Sequence, residues 1–163
     1  MIISLLNNTN ILFSIMLKKN CFNKEKSIIR RHTRMHVVQF LYAWQISHNK
    51  ITEVDIEFLI SLNKQNVDIV YFRKLYFGSI MYIEILDKLI FPYTTRSLYE
   101  VGYVERSILC LALFEFVYQK NVPYKVIINE AIELSKIFGS QKSYKFTNKI
   151  LDKIGINIRP NKK

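Results

Sequence analysis

The sequence is short of the residues that punctuate or staple a chain: its 163 positions hold two cysteines, three prolines and four glycines. Two cysteines, Cys21 and Cys110, are too few for a disulfide framework, and Cys110 lies in an apolar run where it reads as a small core residue. A reducing compartment, the cytoplasm, is therefore expected. Neither G-x-x-x-x-G-K-[ST] nor G-x-G-x-x-G is present, and G-x-S-x-G and H-E-x-x-H are missing as well. These absences argue against catalysis, against a small-molecule substrate and against a cofactor. Long apolar runs are also lacking. The opening MIISLLNNTNILFSIMLKK is interrupted by Asn7, Asn8, Thr9 and Asn10, and a membrane span needs roughly 20 apolar residues. It has no basic leader and no small-residue cleavage site, so residues 1–25 read as a poorly ordered extension rather than a signal or anchor.

What remains is apolar enough to fold. Hydrophobic residues make up 50% of the chain and charged residues 23%, which suits a single domain, placed at residues 26–163. The net charge is +11, and the bias toward Ile, Asn, Lys, Tyr and Phe is what an AT-rich genome writes, so charge alone is a weak argument for a polyanionic partner. Its distribution says more. Residues 1–36 carry seven Lys/Arg against Glu25 alone, and residues 136–163 carry eight against Asp152 alone. The stretch between them holds nine basic and eleven acidic side chains. Two basic ends that converged on one face would suit a polyanion and leave the central helices for another partner.

The apolar spacing is helical throughout, and no convincing strand is present. The pattern predicts helices over about 26–48 (Val37, Phe40, Leu41, Trp44), 52–63, 67–91, a short 95–100, 104–119, 123–138 and 141–154. In 67–91, Val70, Tyr71, Leu75, Gly78, Met81, Tyr82 and Ile85 share the expected inner face. Segment 104–119 is apolar around most of its circumference and belongs at the buried centre. Pro92 stops one helix, Pro123 opens another at its first position, and Gly139 and Gly155 sit where C-caps are expected.

Few side chains invite chemistry. His32 and His36 stand four apart, as a metal pair would, yet no Cys or carboxylate lies nearby to complete a shell, so no metal is expected. Glu130 and Glu133 stand near lysines at helical spacing and read as ordinary surface pairs. The arginines are sharper. Arg30, Arg31 and Arg34 fall within five positions of a chain that otherwise prefers Lys, which suggests a need for the planar guanidinium fork toward phosphate or base edges. Later, SYKFTNK (143–149) interleaves Lys145 and Lys149 with Tyr144 and Phe146, a pattern suited to stacking and screening single-stranded RNA. The plainer readings are a solvated arm for the first group and core aromatics with wet lysines for the second.

Five ordered blocks carry a family resemblance: RRHTRMHVVQFLYAWQIS (30–47), VDIVYFRKL (67–75), VPYKVIINEAIELSKIFG (122–139), SYKFTNKILDK (143–153) and IRPNKK (158–163). From about residue 26 onward the chain resembles the NusB family of transcription-antitermination factors. The resemblance implies an all-α fold of about seven helices in two small packed bundles. It also implies binding to boxA RNA of ribosomal RNA leaders, together with NusE, a small-subunit ribosomal protein, within an antitermination complex on RNA polymerase. Matched motif by motif, Arg30, Arg31, Arg34, Tyr42, Lys145 and Phe146 fall to RNA and Glu105 to the protein partner, and Lys142 joins the RNA group for its charge. The chain departs from the family pattern at His32, in place of an Arg, at Cys110, where relatives commonly carry an Arg, and at Lys142, in place of an acid. Two alternatives stand beside this: a helical protein-interaction module without specific RNA binding, and an accessory domain like that of ribosomal-RNA methyltransferases, which requires a following Rossmann-like domain.

Overall fold

A computed structural model describes residues 2–47, 67–94 and 101–158, with side chains from residue 24 onward. The helices expected at 52–63 and 95–100, and the tail from 159, lie outside the described residues. Among the described residues there are six α-helices and no strand: α1 (Ile2–Ile46), α2 (Ile69–Met81), α3 (Ile83–Ile90), α4 (Tyr103–Tyr118), α5 (Tyr124–Phe138) and α6 (Ser143–Ile158). A single 3-10 turn, Phe91–Tyr93, carries Pro92 and ends the α2–α3 segment. Among the described residues no helix is long and apolar enough to cross a membrane.

Helix α4 is the axis of the fold. Every side chain from Ser107 to Phe116 is buried, and α4 packs against all five other helices. Such a helix can be apolar all round because it has no solvent face. On one side α1 and α2 lie against it, with Phe40 edge-on to Phe72 at 5.2 Å and to Tyr76 at 5.6 Å between ring centroids. On the other side α5 and α6 pack against each other and against α4. The two small bundles expected of the fold thus share α4 as a common wall. Helix α1 is continuous across residue 26, where the domain was placed to begin.

The segment 67–91 is not one helix. Asp68 caps α2, accepting the Tyr71 N–H at 2.9 Å, and its own N–H donates to Thr33 Oγ1 at 3.0 Å, which ties the start of α2 to α1. The helix breaks at Tyr82, whose ring stacks on Tyr118 at 4.3 Å. Neither Pro nor Gly marks the break; a long-range ring stack occupies it. The inner face of α2 is also offset from the expected one. Tyr71, Phe72, Leu75, Tyr76 and Ser79 are buried, whereas Val70 and Met81 are 80% and 74% exposed.

Of the two glycines expected as C-caps, Gly139 is one and Gly155 is not. Gly139 is a C-cap in extended backbone, and its missing Cβ leaves room for Ser143. Gly155 does not end a helix. It is buried within α6, which runs on to Ile158, and a methyl there would overlap the Tyr124 ring at the start of α5. Pro123 stands at the N-cap of α5, one place before the first helical residue.

Because Leu113 is fully buried on the central helix, Leu113→Ala should cost about 2–5 kcal/mol. The expected reading in urea is a lower midpoint with an unchanged slope.

Candidate nucleic-acid interface

The arginine block lies on α1 where α2, α4 and α5 converge, and each guanidinium has its own use. Arg34 is 3% exposed and donates from Nε and Nη2 to Glu115 of α4 at 2.9 and 2.8 Å. Its Nη2 also reaches the Tyr71 hydroxyl of α2 at 2.9 Å, and that hydroxyl donates to Glu115. Burial opposes the Arg34 charge, but the hydrogen bond and charge of Glu115 outweigh it and hold its pKa above the ordinary value. The Tyr71 hydroxyl is pushed up by burial and by the same carboxylate, so it stays protonated. Arg31 makes three hydrogen bonds to Glu130 of α5, the shortest 2.6 Å, with its own side chain 46% exposed. Arg30 lies over the Tyr71 ring, 5.0 Å from its centroid.

Arg34 therefore belongs to the interior and is not presented to a phosphate. Glu130 is likewise buried and paired across helices; only Glu133, bonded to Lys136 at 2.7 Å, forms the expected surface pair.

The second group of expected residues gathers at the other end of α4. Helix α1 runs antiparallel to α4, since Arg34 meets Glu115 while Gln45 donates to Ser107 Oγ at 2.6 Å and to the Tyr103 carbonyl at 3.1 Å. Tyr42, one turn before Gln45, is 42% exposed. Glu105, in the first turn of α4, accepts a hydrogen bond from Ser143 at the start of α6, and Ser140 and Ser143 hydroxyls are 2.9 Å apart. This junction presents Lys142 and Lys145 to solvent, with Lys145 Nζ 5.9 Å from the Tyr144 ring centroid. Phe146 is half-buried against the core and Tyr144 is half-buried beside it. Glu105 and Glu115 are ten residues apart, roughly 15 Å along the helix. The early arginines and the late lysines therefore do not form one tight cluster: Tyr42, Glu105 and Lys142 to Phe146 share one end of α4, and the arginine block sits toward the other.

Residues 31–155 match the NusB family. The transcription antitermination protein NusB of Sodalis glossinidius is 50% identical over 138 residues, covering 85% of this chain and 99% of that protein. The NusB of Baumannia cicadellinicola is 45% identical over the same shares. The chain belongs to the NusB family. Among solved structures, NusB of T. maritima superposes with a TM-score of 0.69 at 31% identity, covering 77% of this chain and 89% of that one. A NusB in a crystal structure of antitermination factors NusB and NusE with dsRNA gives 0.70 at 27% identity, covering 79% and 97%.

Cys110, a departure from the family pattern, lies beside an ion pair. Asp87 of α3 receives Arg106, one turn before Cys110, through bonds of 3.1 and 2.5 Å, and Arg106 also donates to Gln45 Oε1 at 2.8 Å. The Cys110 thiol is fully buried 4.0 Å from Asp87, and burial followed by the Asp87 charge pushes its pKa up, keeping it neutral. Gln45, Arg106 and Asp87 were not singled out in the sequence; the only signal was an Arg placed four residues from the missing one. His32 is exposed and His36 half-buried, and no cluster of three or more His, Cys, Asp or Glu is found among the described residues.

Arg34→Ala should cost about 3–5 kcal/mol, because it strands a buried carboxylate. Arg31→Ala should cost less than about 1 kcal/mol, since its pair is half-exposed; paired denaturation curves check the ranking. Burial lowers the His36 pKa below its ordinary 6.5, against an opposing Gln39 hydrogen bond, with His32 lowering it further. Between the folded and unfolded values the unfolded chain binds more protons, so stability rises with pH there. This contribution is complete above pH of about 6.5 and fades as the pH falls toward the folded value. Thermal melts at pH 7.5 and 5.5 should show the loss, and His36→Gln should reduce it.

Proposed function

We propose that this chain is a cytoplasmic, non-catalytic transcription antitermination factor. It binds boxA-type single-stranded RNA of ribosomal RNA leader transcripts together with NusE, and helps assemble the antitermination complex on RNA polymerase. The observation that carries this reading is the near-complete match, 45–50% identical over 99% of their length, to proteins named for transcription antitermination. The related solved structure that holds NusB and NusE with dsRNA supports NusE and RNA as partners, and the choice of a single strand rests on the local geometry below.

The local geometry supports a division of labour. Lys142 and Lys145 form no ion pair with an acid among the described residues, so their charge is available to phosphate. Tyr42 offers an exposed ring, and Phe146 offers the outer part of a half-buried one. Rings at a basic helix junction favour unpaired bases, whose faces are open to stacking. Glu105 is held by Ser143, which makes it a brace for the α4–α6 junction beside any role it has toward a protein partner. Arg30 and Arg31 add charge at the far end of α4, where a strand tracking along the helix would meet them.

Fluorescence titration with boxA RNA, a scrambled strand and a duplex, each with and without NusE, tests the reading. Single-stranded boxA should bind tightest, and more tightly with NusE. Tyr42→Ala should weaken it by about 1–3 kcal/mol, the worth of one stacked base. Lys142→Glu should weaken all RNAs and flatten the salt dependence. Equal affinity for boxA and scrambled strands would reduce the chain to a helical interaction module.

A further inference from the structure

The arginine block contains a built-in competitor for phosphate. Arg31 is the one arginine of the three whose side chain is both half in solvent and engaged by an acid: 46% exposed, with three bonds to Glu130 Oε1 and Oε2 at 2.6 to 3.2 Å. Glu130 is only 9% exposed, so it cannot follow Arg31 outward. It has a second cation within reach instead. Arg34 Nη1, the nitrogen not spent on Glu115 or Tyr71, lies 3.9 Å from Glu130 Oε2. A buried carboxylate that loses its only partner is costly, but one shared between an outer and an inner arginine is not stranded when the outer one leaves. Arg34, Glu115 and Glu130 border one crevice between α1, α4 and α5, so Glu130 needs only a small shift to close on Arg34.

We infer that Glu130 is an electrostatic brake on RNA binding: it holds Arg31 against the protein until an RNA phosphate displaces it, whereupon Glu130 closes on Arg34. This rests on the RNA-binding reading above and adds a residue that sets affinity without touching RNA. The brake matters because the basic ends attract any polyanion. Neutralising Arg31 internally lowers the sequence-independent part of the attraction, the part carried by phosphate contacts.

The test is Glu130→Gln, which keeps the shape and hydrogen-bonding reach toward Arg31 but removes the charge. Binding of both boxA and scrambled single-stranded RNA should tighten by about two- to fivefold, the factor an exposed ion pair is worth. The slope of log affinity against log salt should stay as in the wild type, because Arg31 meets the same phosphate in both complexes and only the cost of releasing it from Glu130 is removed. The double variant Arg31→Ala with Glu130→Gln should bind no more tightly than Arg31→Ala alone. A second measurement on the wild-type chain needs no variant to fold: the Glu130 carboxylate carbon and the Arg31 Nε–H resonances should both shift on saturation with RNA. Unchanged affinity in a folded Glu130→Gln, or resonances unmoved by bound RNA, overturns the brake. Failure of the wild-type chain to bind any of the RNAs would instead overturn the RNA reading itself.

Discussion

The fold depends on the buried pair of Arg34 and Glu115. Both side chains are almost completely removed from water, at 3% and 2% exposure, and neither could be so placed without the other. Desolvating a guanidinium and a carboxylate offsets most of what their attraction returns, so the pair contributes little net stability relative to an apolar substitute. Its effect is positional. Two parallel N–H bonds and the Tyr71 hydroxyl accept only one register of α1 against α4 and α2, and a slip of one turn would leave two charges unpaired in the core.

A second tie works with the first. Gln45, eleven residues further along α1, spans to Ser107 and Tyr103 of α4 and receives Arg106, which also grips Asp87 of α3. The separation on α1 is roughly 16 Å, three turns, and the two ties together set both the register and the direction of α1. Tyr42 lies between them, so its exposure is a consequence of where the polar contacts hold the helix. At the far corner, Glu105 and Ser143 join α4 to α6 and carry Lys142 and Lys145 to the same end of the axis. The surface proposed for RNA is in this way the outer side of three internal polar contacts.

Much of this architecture was legible in the spacing of apolar residues. Segment 104–119 announced a central helix because no face of it was polar, and the α1 stripe of Val37, Phe40, Leu41 and Trp44 is buried as its period implied. Elsewhere the pattern was ambiguous. In α2 almost every position is apolar or aromatic, so period alone could not choose between the face through Val70 and Met81 and the face through Phe72 and Tyr76, and packing against Phe40 decided it. The break at Tyr82 carries no local mark, and the ring stacked on it comes from α4, 36 positions away in the chain. Arg34 was read as a ligand for phosphate because an arginine run in a lysine-rich chain looks the same whether its partner is RNA or a glutamate 81 residues later.

The charge map explains that ambiguity. The acidic excess of residues 37–135 is not spread over a partner-facing surface alone: Glu115, Glu130 and Asp87 are spent on Arg34, Arg31 and Arg106 inside or at the margin of the fold. Arginine suits such sites, since its planar fork is weakly hydrated and meets a carboxylate with two bonds at once. Lysine, strongly hydrated and single-pointed, is left on the outer faces, where Lys142, Lys145, Lys149 and Lys153 are exposed. The composition that resembled uniform drift therefore divides by chemistry. The arginines with described side chains assemble the helices, apart from the exposed Arg73 and the half-exposed outer part of Arg31, and the lysines supply the long-range field that a polyanion meets first.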